Sequence, residues 1–221
     1  MQQNVRYISY KALRTWYAKL VKPRPGDPPY KHVVQIGDPN LRIESERISE
    51  DEILTPEVQY LIKQLKHVSK TYNCVGLSAP QIGMPLQIII AEFNKKHLKH
   101  YSEQEIINKE ITLQPQTVII NPLLRVADYS KVTFSESCES IKGYYADVAR
   151  YRSIEVKGWN EEGNFFSILA HGWWARILQH EIDHLQGKMY TDIMDPKTLT
   201  CCCWHEVNER AGRVHIPLGN K

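Results

Sequence analysis

No stretch of this 221-residue sequence strings together the ~20 apolar residues that a membrane-spanning helix needs. Its hydrophobic runs, such as "LQIIIAEF" and "TVIINPLL", have the length of strands. Cysteine is scarce too: Cys74, Cys138 and the adjacent Cys201, Cys202 and Cys203. An odd number with three in a row makes a poor disulfide framework and points to a reducing compartment. Excess charge is nearly absent, at a formal net +3. No basic stripe with interleaved aromatics appears, so nucleic acid is not implied as a partner. Acidic residues are missing from the first 26 positions, which carry Arg6, Lys11, Arg14, Lys19, Lys22 and Arg24. Tyr7, Leu13, Trp16, Tyr17 and Leu20 mingle with those charges, leaving no apolar core for a secretory signal. Such a start resembles an organellar transit segment.

What is present reads as one folded domain, with 42% hydrophobic and 24% charged residues. The Pro-rich "KPRPGDPP" at 22–29 separates the basic arm (1–26) from a catalytic-sized domain (27–200), and a short extension (201–221) follows. Residues 55–72 predict a helix: Thr55 is placed to cap it, Pro56 suits its first turn, and Val58, Leu61, Ile62, Leu65 and Val68 recur at helical spacing. Strands are expected at "LQIIIAEF", at "QTVIINPLLRV" with a break at Asn121-Pro122, and at 131–135, 144–149, 151–158 and 164–170. "NEEG" joins the last two as a hairpin turn. The lysine- and glutamate-rich 94–112 reads as a surface insertion. A second helix spans 172–186 and stops at Gly187. Many strands with two separated helices give an α+β fold: antiparallel or mixed sheet packed around a central helix.

That second helix carries "QHEIDHLQG". Residues i and i+4 differ by only ~40° around a helix axis, so His180 and His184 can aim at one ion. Glu181 lies on the flank of the same face, placed to reach water beside the ion rather than the ion itself. Two ligands plus a general base is what the His-Glu-x-x-His pattern supplies. Two histidines leave a tetrahedral ion short of one protein ligand. Cys138, Cys74, the 201–203 cysteines and a downstream carboxylate such as Glu206 all qualify by spacing.

Three segments together resemble the peptide deformylases, in particular their animal mitochondrial branch. "GLSAPQIG" (76–83) is similar to the family's Gly-x-x-Ala-x-Gln loop, "ESCES" (136–140) to its Glu-Gly-Cys segment, and "HEIDHLQG" to its His-Glu-x-Asp-His-Leu-x-Gly helix. The resemblance covers residues 32–195 and implies removal of the formyl group from N-formylmethionine at the start of new polypeptides, releasing formate. It implies Cys138, His180 and His184 as ligands of one divalent ion, physiologically Fe²⁺, with Zn²⁺ or Co²⁺ as alternatives. It makes Glu181 the general base and Gln81 an oxyanion donor, with the Glu139 N–H as a second donor and Gly76 and Leu77 in the substrate-holding loop. Implied partners are N-formylmethionyl nascent chains, met at the ribosome, with a homodimer allowed and the mitochondrial matrix as the site of action. Three positions depart from the pattern: Cys74 and Ser137 stand where glycines are common, and Tyr145 where bacterial members commonly carry arginine. A left-handed backbone at Ser137 would cost about 1 kcal/mol or more. Glu136 and Arg150 remain available as a pair to brace the cysteine segment. The competing readings are a His-Glu-x-x-His metallopeptidase and a non-catalytic, deformylase-derived peptide- or metal-binding protein.

Overall fold

The computed structural model describes residues 26–213; the basic arm lies outside them except for Gly26. Five helices occur among the described residues: α1 (Pro56–Tyr72), α2 (Lys95–Leu98), α3 (Glu103–Asn108), α4 (Gly172–Leu185) and α5 (Trp204–Glu209). The strands are β1 (Gly76–Ser78), β2 (Ile88–Phe93), β3 (Gln114–Ser137), β4 (Tyr144–Trp159), β5 (Phe165–His171) and β6 (Thr200–Cys201). They form one sheet in the order β1-β2-β3-β4-β5, every pair antiparallel, with β6 paired to the first two residues of β4. The α+β expectation is met.

Helix α1 buries the stripe Val58, Leu61, Ile62, Leu65 and Val68 against β1 and β2. Each such side chain contributes about 1.5–3 kcal/mol on burial. Thr55 sits at the N-cap position, but its hydroxyl donates to the Glu52 carbonyl (2.7 Å) instead of capping the helix. Asn73 ends the helix in the left-handed conformation, φ 52°, which asparagine tolerates better than most side chains.

Asn121-Pro122 does not break the third strand. The register slips between Ile120 and Leu123, and β3 runs on to Ser137, 24 residues in all. Asn121 takes the bulge at φ 50°, and its amide clamps both backbone groups of Ile48 (2.9 and 2.7 Å). The bulge turns the strand without ending it. The expected strand at 131–135 is therefore the distal part of β3, and 144–149 and 151–158 are one strand, β4. Asn160–Gly163 makes the foreseen turn, with Gly163 at φ 78°.

Residues 94–112 are not wholly surface. They form α2 and α3, bury His97 and Ile111, and pack Leu98, Tyr101 and Ile106 against the α4 cluster. Helix α4 is the centre of the fold: every residue from Gly172 to Leu185 is buried except His180 and Asp183, which are half-buried. Gln179 pins it to β4 by exchanging hydrogen bonds with the Tyr151 backbone (3.0 and 2.8 Å). The helix ends at Leu185, and Gly187 follows at φ 67°, where a Cβ would lie 2.8 Å from the Arg42 carbonyl carbon and oxygen, so the position needs glycine.

Candidate metal centre

Two segments of the meander meet at one point. The tip of the β3–β4 hairpin presents Cys138, and α4 presents His180 and His184 one turn apart. Their ligand atoms lie within 4.8 Å of one another. The Cys138 sulfur is 3.4 Å from His184 Nε2. No other group of three such side chains occurs among the described residues, so Cys74, the 201–203 cysteines and Glu206 do not join it. Cys74 is buried nearby, its thiol pushed up by burial and then by Glu139, Glu181 and Cys138. Cys201 and Cys203 face each other (3.4 Å).

One thiol and two imidazoles in a largely buried cluster are a donor set that would suit a single divalent ion. A buried polar atom supports the fit: Glu181 Oε2, in the same buried site, has no protein partner. Unpaired buried polar atoms are costly unless something else satisfies them.

Glu136 organises the back of the site. It is 7% exposed, accepts from Arg150 at both carboxylate oxygens (2.9 and 3.0 Å) and from Arg176 (2.6 Å), and meets His180 Nδ1 at 3.0 Å. Arg150 also pairs with Asp183. The brace foreseen between Glu136 and Arg150 is thus present and larger than expected. Burial opposes ionisation of Glu136, but the His180 and Arg150 hydrogen bonds outweigh it and hold the carboxyl well below the usual carboxylate range. The contact at Nδ1 fixes the ring and leaves Nε2 free for the ion. Sequence reasoning missed Arg176. Its signal was an arginine four residues before His180 in an otherwise apolar run, a charge that a buried helix must pair.

Glu181 is 4% exposed. Burial pushes its carboxyl up to about 7, with His180 opposing and Glu136 adding. Gly76 lies against it: a Cβ there would fall 2.3 Å from Glu181 Oε1. Gln81 is held by its own turn, its Oε1 accepting from the Ser78 N–H (2.9 Å) and hydroxyl (3.0 Å). That anchoring aims Nε2 at Cys138 Sγ (3.5 Å) and Ser140 Oγ (3.2 Å). Glu139 follows the cysteine directly, and its carbonyl is tied by Gln35 Nε2 (2.9 Å). Ser137 is an ordinary strand residue paired with Tyr145, outside the left-handed region, so its side chain introduces no backbone strain. Leu77 is fully buried in the core; only its backbone could face a substrate.

A cavity of about 310 Å³ opens on this centre. Gly76, Gln81, Cys138, Glu139, His180 and Glu181 line its reactive end. Tyr101, Lys109 and Trp173 form a wall that sequence reasoning did not foresee, because the segment holding Tyr101 and Lys109 read as surface. Lys109 Nζ stands 4.8 Å from the Tyr101 ring centre and 5.0 Å from that of Trp173.

Comparison with known proteins gives a consistent result. The family model described as polypeptide deformylase matches residues 30–199. The human protein named peptide deformylase, mitochondrial, is 39% identical over 185 residues, covering 84% of this chain and 76% of that one. The Arabidopsis thaliana protein named peptide deformylase 1A, chloroplastic/mitochondrial, is 38% identical over 166 residues, 75% of this chain and 62% of its own. The crystal structure of the Ehrlichia chaffeensis peptide deformylase in complex with actinonin superposes with a TM-score of 0.63 at 27% identity, covering 75% of this chain and 89% of that one. With the Cys138–His180–His184 cluster, the braced helix and Gln81 all inside the matched span, the chain belongs to the polypeptide deformylase family.

Proposed function

We propose that Cys138, His180 and His184 hold the divalent ion of a peptide deformylase, with Glu181 as its general base and Gln81 and the Glu139 N–H as oxyanion donors. The family's reaction is hydrolysis of the N-formyl group of newly made polypeptides. The observation that carries the assignment is the Gln81 amide, locked by Ser78 and pointing at the Cys138 thiol. When bound, the ion supplies Lewis acidity, making water acidic near neutral pH and polarising a carbonyl. Glu181, buried and with one oxygen unpartnered, takes a proton from water as its oxygen attacks the formyl carbon. Gln81 and the Glu139 N–H meet the negative charge that develops on the formyl oxygen. Glu181 then gives the proton to the departing amine as the C–N bond breaks, leaving formate. Glu136, Arg150 and Arg176 hold His180 throughout.

The donor set, one thiolate with two imidazoles, suits Fe²⁺, Zn²⁺ or Co²⁺, and we assign Fe²⁺ as the physiological ion on the family resemblance. The acid-free arm and the mitochondrial relatives support action in the mitochondrial matrix on nascent chains at the ribosome. The division into arm (1–26), catalytic domain (27–200) and extension (201–221) is part of the same proposal, as is a homodimer. No helix among the described residues is long and apolar enough to cross a membrane.

A metallopeptidase is disfavoured because the third member of the cluster is a thiol upstream of the helix. The deciding assay incubates metal-loaded protein with formyl-Met-Ala-Ser and measures formate. Formate release that disappears in Glu181→Ala with metal retained is expected. Cleavage of the Met-Ala bond, or no reaction, would refute the proposal.

A further inference from the structure

Helix α1 carries Lys63, Lys66, His67 and Lys70 at i, i+3, i+4 and i+7, on the face opposite its apolar stripe. In the fold this stripe stands beside α2, and Lys96 joins it to line a groove of about 500 Å³. Lys66 is paired with Glu161 (2.5 Å). Among the described residues no salt bridge neutralises Lys63, Lys70 or Lys96. One carboxylate, Glu92, lines the groove, engaged by Asn94 (3.0 Å) and Gln116 (3.4 Å). The groove is therefore net positive. It adjoins the reaction site: Asn73 and Cys74 line both it and the cavity at the Cys138–His180–His184 cluster.

The formyl end of a substrate lies beside Gln81 and Cys138 in the proposed reaction, so the rest of the chain leaves the cavity across another wall. At Asn73 and Cys74 that wall is shared with the basic groove. Resting on the deformylase reading, we infer that the polypeptide downstream of the first few residues runs over Asn73 into this groove, which selects acidic segments. An extended chain advances ~3.3–3.6 Å per residue, so three residues added beyond a tripeptide extend its reach by roughly 10 Å. Exposed pairs are weak individually, each worth a factor of about two to five, and three together give roughly tenfold at low ionic strength.

The test uses metal-loaded full-length protein and three substrates: formyl-Met-Ala-Ser alone, with a Glu-Glu-Glu tail, and with a Lys-Lys-Lys tail. The wild-type kcat/KM ratio of acidic to basic tail should be about ten at low salt, carried by KM, and fall towards one as salt rises. In Lys63→Glu/Lys70→Glu/Lys96→Glu the ratio should invert while tripeptide turnover stays unchanged. All three side chains are exposed; should the triple variant lose its fold, Lys70→Gln alone must still lower the ratio. A wild-type ratio near one, or a ratio the substitutions leave intact, overturns the inference. Salt-sensitive binding of an RNA oligonucleotide with a ratio near one would overturn it in favour of a nucleic-acid partner. Absence of tripeptide turnover would instead mark failure of the deformylase reading.

Discussion

Replacing Gly76 with alanine tests how Glu181, the proposed general base, is seated. The added Cβ would stand 2.3 Å from Glu181 Oε1 and 2.8 Å from its Cδ and Cγ. Ordinary carbon–oxygen contact needs about 1 Å more than the first of these. Gly76 belongs to β1, paired with Ala91, and Glu181 belongs to the buried α4, so neither backbone yields readily and the carboxylate must swing away. Overpacking of this kind costs about 1–3 kcal/mol of stability. A misplacement of about 1 Å in a reacting group costs on the order of 10² in rate. Gly76→Ala should therefore bind metal normally, melt lower by several degrees, and release formate from formyl-Met-Ala-Ser about a hundred times more slowly. Adding Glu181→Asp withdraws the side chain by one methylene and should restore the melting temperature without restoring turnover. Activity of Gly76→Ala within threefold of wild type, or stability unaffected by the second substitution, would refute the steric account.

Gln81→Leu should fold and bind metal yet lose about 10²–10³ in kcat, the usual consequence of a missing oxyanion donor; near-normal deformylation would sink its assignment. Glu136→Gln leaves two buried guanidiniums without their shared anion and should lower stability by about 3–5 kcal/mol. It should also weaken metal binding about 10- to 100-fold through a less firmly held His180. Denaturation and chelator competition read these separately, and an unchanged metal affinity would show that His180 needs no support from Glu136.

Much of the site was legible in the sequence because its chemistry is periodic. His180, Glu181 and His184 follow from one helical turn, and the resemblance at "ESCES" singled out Cys138 from five cysteines. Arg176 was not legible as part of the brace, since nothing in "WWARIL" says that Phe134, Glu136 and Val148 would lie across from it. Asn121-Pro122 misled because the same dipeptide ends strands in one context and bulges them in another. Only the Ile48 backbone waiting for the Asn121 amide decides between the two. The doubt over Ser137 was also a matter of backbone angle, and the paired, extended strand removes it. The lysines at 63, 66 and 70 were visible at helical spacing, but their meeting with Lys96 depends on how α1 and α2 dock.

The unbroken order β3, β4, β5, α4 has a consequence for assembly of the enzyme. Cys138, Glu136, Arg150, Arg176, His180 and His184 all come from one run of chain, folded back on itself by short antiparallel turns of low contact order. Gly76 and Gln81 arrive from the other side, on a segment that must dock against α4 from much earlier in the sequence. The proposed ion ligands and the proposed oxyanion donor Gln81 thus come from different segments of the chain. The proposed metal donors therefore do not include any residue of the Gly76–Gln81 segment, so metal content alone does not report a finished active site.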